Sequence, residues 1–115
     1  MKALVTGVAG QLGHDIMKEL ETRGITGIGS DLAPAYSGMA ADSVASMPYV
    51  QLDITDRQAV QQVLQSVQPD VLIHCAAWTA VDAAEEAENQ SKVWAINAEG
   101  TRYLAEAAKA VGAKM

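Results

Sequence analysis

Short apolar runs alternate along this chain with longer segments in which apolar residues recur at helical spacing. The apolar runs predict β-strands at residues 2–6, 25–30, 49–52 and 71–75. The helical spacing predicts helices at about 11–23, behind residues 55–58, and at about 91–111. Strands separated by helices form right-handed βαβ units and a parallel sheet. We therefore expect an α/β fold, a three-layer αβα sandwich with strand order 3-2-1-4.

The predicted helices begin and end at specific residues. Thr55 and Gln58 form a capping box ahead of the second helix. Gly24 ends the first helix, and Gly112 caps the last. The apolar stripes expected to face the sheet are Leu12, Ile16 and Leu20 in the first helix and Val60, Val63, Leu64 and Val67 in the second. Residues 113–115 are typical of the first step of a fifth strand.

Composition narrows the class of protein. Half of the 115 residues are hydrophobic, yet only 4% are aromatic, which suits helices packed on a sheet within one domain of residues 1–115. The net charge of −6 argues against nucleic acid or an anionic membrane as a partner. No apolar run approaches the roughly 20 residues of a membrane span. The single Cys75 cannot form an internal disulfide, and together these features indicate a cytoplasmic protein.

Three glycines lie between the first predicted strand and the first helix: Gly7, Gly10 and Gly13. In this context such glycines bind the pyrophosphate of a dinucleotide. Gly7 permits a tight turn, Gly10 lets the pyrophosphate approach the backbone, and Gly13 allows close packing of the helix on the strands. The unpaired N–H groups of a helix N-terminus attract the anion. The pattern predicts a Rossmann-type nucleotide site, with a purely structural turn as the alternative.

Two carboxylates follow the carboxyl ends of predicted strands, where ligands bind in open α/β sheets. Asp31 lies 18 residues after Gly13, a distance typical of an acid that accepts hydrogen bonds from an adenosine ribose. Its charge repels a 2′-phosphate and favours NAD(H) over NADP(H), and a turn or capping role is the alternative. Asp53 ends the third strand, where it would accept a hydrogen bond from the adenine amino group unless it caps the next helix.

Small and polar side chains follow the fourth predicted strand. Ala76 and Ala77 would let a cofactor approach the backbone, and Thr79 offers a hydroxyl to a substrate. His74 lies within an apolar strand, where a structural histidine is commoner than a catalytic one. Asn97 falls on the apolar stripe of the last helix, so its amide needs a partner, either in a structural bond to a loop or in support of an active site. No His or Cys pair has metal-ligand spacing, so no metal is predicted.

Several of these segments resemble the extended short-chain dehydrogenases/reductases. The resemblance rests on Thr6-Gly7-x-x-Gly10-x-x-Gly13, Asp53-Ile-Thr, Ala76-Ala77 and Asn97-Ala-Glu-Gly100-Thr101. It implies NAD(P)H as the cofactor, with a binding set of Gly7, Gly10, Gln11, Leu12, Gly13, Asp31, Asp53, Ile54, Ala76, Ala77 and Trp78. It also places Thr79 and Val81 toward the substrate and implies that Asn97 supports catalysis. Trp78 stands where tyrosine is more usual in that segment.

Within this family, residues 10–13, 75–82 and 95–101 are similar to the members that reduce the 4-keto group of a dTDP-linked 6-deoxysugar. The resemblance implies that reaction for the intact protein, with a dTDP-sugar as its substrate. Two alternatives stay open. One is a nucleotide-binding sensor without catalysis, and the other is an epimerase or dehydratase of another nucleotide sugar.

The proton-donating pair of that family, Tyr-x-x-x-Lys, is absent from this chain. None of the three tyrosines has a lysine four residues later. The resemblance places the pair after a fifth strand, so we interpret the chain as the N-terminal part of a longer enzyme and expect it to be inactive alone. Without a fifth strand, the fourth strand has a free apolar edge, and we expect self-association through that edge.

Overall fold

A computed structural model describes residues 1–34, 47–75 and 87–115, and within these ranges all side chains except those of 87–97. The elements in chain order are β1 (Lys2–Thr6), α1 (Gln11–Thr22), β2 (Thr26–Asp31), β3 (Tyr49–Gln51), α2 (Arg57–Val67), β4 (Val71–His74) and α3 (Ala87–Val111). The four strands pair in parallel in the order β3-β2-β1-β4. The α/β class and the strand order expected from the sequence are confirmed.

The central strand β1 contributes alternate side chains to two hydrophobic cores. Ala3 and Val5 pack on one face of the sheet with the apolar residues Val8, Met17 and Leu20. Leu4 packs on the opposite face, whose other buried residues are Leu52, Ile54, Val60, Leu64, Leu72, Leu104, Ala107 and Ala108. Because α1 covers one face and α2 and α3 cover the other, β1 is apolar along nearly its whole length.

Helix α1 buries a different face from the one its leucines predict. Its buried residues are Gly13, His14, Met17 and Leu20, whereas Leu12 is 64% exposed. The predicted stripe of Leu12, Ile16 and Leu20 is therefore wrong at its first member, and Ile16 is only half-buried. The helix packs through the face that begins at Gly13, because the missing side chain there lets the helix axis approach the sheet.

Helix α2 is capped by Asp56 rather than by the predicted capping box at Thr55. The Asp56 carboxylate accepts a hydrogen bond from the Ala59 N–H at 3.1 Å. Thr55 instead donates its hydroxyl to Asp53 Oδ1 at 2.6 Å. The predicted capping box is therefore wrong, because the Thr55 hydroxyl bonds to Asp53 and not to the start of the helix. At its other end, α2 stops at Gln68, which has a left-handed φ of 51°.

Helix α3 begins at Ala87, four residues before the predicted start, and ends at Val111 as predicted, followed by Gly112 with a φ of 77°. The chain then returns to the sheet, where Lys114 forms a parallel bridge with Val71. The Leu72 N–H donates to the Lys114 carbonyl at 2.7 Å. The expected first step of a fifth strand beside β4 is confirmed at this bridge. Among the described residues, no helix combines the length and apolar character that a membrane crossing needs.

Candidate functional site

The glycine-rich segment forms a tight turn at the carboxyl end of β1. Gly7 has a φ of 73°, a conformation that side chains disfavour. The N–H groups of Gly7 and Val8 both donate to the Ser30 carbonyl, at 2.9 and 3.3 Å. The Gly10 N–H donates to the Gly7 carbonyl at 3.2 Å. The turn is therefore anchored to β2, and Gly7 has the turn-forming role that the sequence predicts.

Gly13 brings the start of α1 against this turn. A Cβ atom at position 13 would lie 2.8 Å from both the Gly7 carbonyl carbon and the Val8 Cα, so no side chain fits there. The N-cap residue Gly10 makes no side-chain capping bond, and Gln11 and Leu12 are exposed. The first N–H groups of a helix have no intrahelical acceptor. The N-terminus of α1 thus offers backbone donors and a positive dipole end to an anion.

Asp31 ends β2 beside the turn, as predicted. Its Oδ2 accepts a hydrogen bond from the Ala9 N–H at 3.0 Å, and its Oδ1 accepts one from the Leu32 N–H at 2.8 Å. The carboxylate therefore joins the glycine turn to the segment after β2, and the alternative role in holding a turn is present in the structure. Each carboxylate oxygen keeps a second acceptor site. The side chain can still accept hydrogen bonds from a ribose.

Asp53 is exposed and lies two residues beyond Gln51, where β3 ends, so the prediction that it ends the third strand is wrong by two residues. Its Oδ1 accepts hydrogen bonds from both the N–H and the hydroxyl of Thr55, at 2.9 and 2.6 Å. Its Oδ2 accepts no hydrogen bond from the described residues, so one oxygen of the carboxylate can receive a ligand. The neighbouring Ile54 is 7% exposed and packs against Gly100 of α3. That contact fixes the short turn that carries Asp53.

A series of polar side chains that the sequence did not reveal links β1, β4 and α3. Thr6 Oγ1 lies 2.8 Å from His74 Nδ1, and His74 Nε2 lies 3.1 Å from Thr101 Oγ1. The Cys75 N–H donates to Thr6 Oγ1 at 3.0 Å. Burial lowers the pKa of His74 below its usual value, which favours the neutral imidazole. His74 thus ties the end of β4 to its neighbours, which is a structural role.

The sequence indicates two members of this hydrogen-bonded series but does not identify the third. Thr6 and His74 are polar residues at the carboxyl ends of β1 and β4, directly after apolar residues, and polar groups there must find partners. Thr101 lies 27 residues beyond His74, on a helix whose placement on the sheet decides the contact. Cys75 packs with the apolar cluster beside α1, where burial raises the pKa of its thiol. Its predicted role as a small apolar residue is confirmed.

The remaining predicted site residues lie beyond what the structure describes. Ala76, Ala77, Trp78, Thr79 and Val81 fall outside the described residues. Asn97 belongs to α3, but its side chain is also outside the description. The roles predicted for them stay predictions. Among the described side chains, no group of three or more His, Cys, Asp or Glu residues could hold a metal ion.

The architecture and this corner of the sheet together define a class of protein. A parallel sheet lies between two helical layers, a glycine turn follows the central strand, and an acid ends the neighbouring strand. These are the features of the Rossmann-type fold, in which that corner binds nucleotides.

Comparisons with known proteins narrow the class to one family. The family model of the RmlD substrate binding domain matches residues 1–115, and the chain belongs to this family. The chain is 38% identical over 110 residues to the dTDP-4-dehydrorhamnose reductase of Streptomyces griseus. The matched region covers 96% of this chain and 30% of that protein. The resemblance to extended short-chain dehydrogenases/reductases is confirmed.

Solved structures agree with this assignment. The dTDP-4-dehydrorhamnose reductase of Bacillus anthracis in complex with NADP is 36% identical, with a TM-score of 0.74 over 98% of this chain and 34% of that one. The UDP-glucose 4-epimerase of Thermus thermophilus in complex with NAD is 26% identical, with a TM-score of 0.82 over 97% of this chain and 35% of that one. The chain thus spans about a third of the length of these relatives.

Proposed function

We propose that this chain is the cofactor-binding part of an oxidoreductase of nucleotide-sugar biosynthesis. The intact enzyme reduces dTDP-4-dehydro-6-deoxy-L-mannose, also called dTDP-4-dehydrorhamnose, to dTDP-L-rhamnose with NAD(P)H. One observation carries the proposal: the uncapped N-terminus of α1 and the Asp31 carboxylate share one corner of the sheet. The similarity to dTDP-4-dehydrorhamnose reductases supports the substrate, and the related complexes with NADP and NAD support a nicotinamide cofactor.

The described residues fit such a cofactor. The segment of Gly7, Gly10, Gln11, Leu12 and Gly13 would hold the pyrophosphate, since the Gln11, Leu12 and Gly13 N–H groups at the helix start have no hydrogen-bond acceptor among the described residues. Asp31 would accept hydrogen bonds from the adenosine ribose, and Asp53 and Ile54 would contact the adenine. When bound, the cofactor supplies the hydride, while this chain binds and orients it.

The predicted contacts on the substrate side complete the proposal. Ala76, Ala77 and Trp78 would lie beside the nicotinamide half of the cofactor. Thr79 and Val81 would lie toward the sugar, and Asn97 would support the active site. The chain has no Tyr-x-x-x-Lys pair to donate a proton, so we propose that it has no reductase activity alone.

We propose NAD(H) as the preferred cofactor. Within the described residues, the two hydrogen bonds to Asp31 come from uncharged backbone N–H groups, so its negative charge is not neutralised by a contacting cation. A 2′-phosphate beside that carboxylate would be repelled. The Bacillus anthracis relative was crystallised with NADP, and tighter binding of NADPH than of NADH by this chain would contradict the proposed preference.

Titration calorimetry of the 115-residue chain with NADH and NADPH tests both the proposed cofactor binding and the proposed preference for NAD(H). We expect NADH to bind, NADPH to bind more weakly, and Asp31→Asn to narrow the difference. Glu21→Gln, an exposed acid near the far end of α1, is the control that should change nothing. A folded chain that binds neither nicotinamide nucleotide would contradict the proposed function.

A turnover assay on the protein extended to the length of its relatives separates the alternatives. Oxidation of NADH that depends on dTDP-4-dehydrorhamnose supports the reductase. Cofactor binding without turnover of any nucleotide sugar supports a sensor module. Conversion of a UDP-sugar without net NADH oxidation supports an epimerase.

We propose that the 115-residue chain self-associates through the outer edge of β4. Lys114 pairs with this edge at Val71 and accepts the Leu72 N–H, and beyond that bridge the strand continues through the apolar Ile73. An unpaired apolar edge recruits other chains. Sedimentation velocity over a concentration series should show growing oligomers, and a monomer at every concentration would contradict the idea.

We also propose a cytoplasmic location for the intact enzyme. The chain contains one cysteine, and its half-buried thiol fits a reducing compartment. Cell fractionation tests this location, and recovery of the protein with membranes would contradict it.

A further inference from the structure

The short segment after Asp31 is held by side chains of the neighbouring strand β3. The Tyr49 hydroxyl donates to the Ala33 carbonyl at 2.6 Å. Gln51 Nε2 donates to the Leu32 carbonyl at 2.9 Å. The Leu52 N–H donates to the Asp31 carbonyl at 2.9 Å. Three successive carbonyl groups are therefore fixed from one side, two of them by side chains outside the predicted cofactor-binding set.

We infer that Tyr49 and Gln51 are positioning residues that set the choice between NAD(H) and NADP(H). The inference rests on the proposed function and deepens it. Their hydrogen bonds hold residues 32–33 in place, and the Leu32 N–H in turn donates to Asp31 Oδ1. The other oxygen of Asp31 receives the Ala9 N–H of the glycine turn. The orientation of the carboxylate thus depends on a segment that β3 holds.

This arrangement matters for the two cofactors in different ways. A ribose 2′-hydroxyl needs a carboxylate in a fixed orientation, because the hydrogen bond weakens steeply when misaligned. A 2′-phosphate needs the carboxylate to turn away and the following segment to open toward the anion. Tyr49 and Gln51 oppose that movement, and both are neutral donors that offer no charge to the phosphate. Their loss should therefore penalise NADH more than NADPH.

The Tyr49 hydroxyl is a hydrogen-bond donor at neutral pH. Burial raises the pKa of the Tyr49 hydroxyl, and the nearby Asp31 carboxylate raises it further. A tyrosine hydroxyl is already protonated at neutral pH, and a raised pKa keeps it a donor to the Ala33 carbonyl. The ring of Tyr49 also packs against the hydrophobic cluster beneath α1, so a phenylalanine can keep that packing while losing the hydroxyl.

The experiment compares Tyr49→Phe and Gln51→Leu with two matched controls. Tyr103→Phe removes a hydroxyl on α3, and Gln61→Leu removes an exposed amide on α2. For each variant, calorimetry gives the dissociation constants of NADH and NADPH. We expect the ratio of the NADPH constant to the NADH constant to fall by roughly three- to tenfold in both β3 variants, as for the loss of one hydrogen bond. Both controls should keep the parent ratio.

Hydrogen exchange of the Ala9 amide in the cofactor-free chain is a second readout. Exchange should be faster in both β3 variants than in the controls, because the Asp31 carboxylate that accepts this N–H is no longer held. An unchanged ratio of constants would overturn the role in cofactor choice, and unchanged exchange would overturn the positioning role itself. If the parent chain binds neither nucleotide, the proposed function fails, and exchange at Ala9 alone decides whether Tyr49 and Gln51 position Asp31.

Discussion

Gly13 is the residue of the glycine turn at which one added methyl group should be most damaging. Gly13→Ala would place Cβ 2.8 Å from the Gly7 carbonyl carbon and from the Val8 Cα. Both are backbone atoms of a turn that is hydrogen-bonded to Ser30, so no change of rotamer relieves the overlap. The start of α1 must move away from the sheet, as expected for overpacking, which costs about 1–3 kcal/mol.

Two opposing effects set the expected loss of stability in Gly13→Ala. We take the upper end of that range, about 3 kcal/mol, because the crowded atoms are backbone. The better helix propensity of alanine offsets about 1 kcal/mol, which leaves a net loss of about 2 kcal/mol. With a urea m-value of about 1–3 kcal/mol per M, the midpoint of unfolding should fall by roughly 1 M. Urea denaturation followed by circular dichroism measures this shift.

Gly10→Ala is the matched control, in which stability should change little and NADH binding should weaken. Its added Cβ meets only the Gly7 carbonyl oxygen at 3.6 Å, and a φ of −83° suits alanine. The free energy of unfolding should change by less than about 1 kcal/mol, whereas the affinity for NADH should fall because the methyl group obstructs the start of α1. A Gly13→Ala chain as stable as the parent would refute the packing argument. Undiminished NADH affinity in Gly10→Ala would refute the close approach of a phosphate.

Three further predictions concern stability. Burial lowers the pKa of His74 in the folded chain, so the unfolded chain binds the proton more readily below about pH 6.5. The free energy of unfolding should therefore fall between about pH 7.5 and pH 5.5, and urea denaturation should show a smaller fall in His74→Gln. Asp56→Ala removes the acceptor of the Ala59 N–H and should cost about 1 kcal/mol in urea denaturation, whereas an equal loss in Asp56→Asn would argue against capping. Gly100→Ala brings Cβ to 2.8 Å from Ile54 Cγ1 and should lower Tm. Adding Ile54→Val removes a methyl group from the crowded side chain and should restore part of the lost Tm. No recovery in the double variant would argue against a contact between residues 54 and 100.

The sheet order was predictable because each strand has to satisfy several demands at once. β1 and β4 are apolar on both faces, which is stable only under two helical layers, and the intervening helical segments require parallel crossovers. The glycine spacing located the turn for a similar reason. Gly7 needs a positive φ and Gly13 has no room for a side chain, and both demands are visible as residue identity.

The buried face of α1 was mispredicted because hydrophobic periodicity does not count a glycine as a buried packing position. Leu12, Ile16 and Leu20 are spaced as a helical stripe, but so are Gly13, Met17 and Leu20. Hydrophobicity favours the first set, whereas the close approach of the helix to the turn selects the second. Sequence alone cannot weigh an approach that depends on the path of another element.

The same limit applies to the contacts around Asp31. The position of the acid followed from its distance to Gly13, but its two donors, the N–H groups of Ala9 and Leu32, depend on the conformation of two turns. Tyr49 and Gln51 carry no motif that marks them as partners of residues 32–33. Their donors reach those carbonyls only because β3 pairs beside β2 in one register.

The central position of β1 also has a consequence for the order in which the chain folds. Ala3 pairs with Gly27, 24 residues along the chain, and with Val71, 68 residues along the chain. Closing the longer loop costs about 0.9 kcal/mol more in chain entropy, so the β1–β2 pairing should form before β4 docks. The Gly7 and Val8 amides bonded to Ser30 belong to the earlier pairing, and the Cys75 amide bonded to Thr6 belongs to the later one. In pulse-labelled refolding, the glycine turn should therefore gain protection first, and simultaneous protection would show that the sheet assembles in one step.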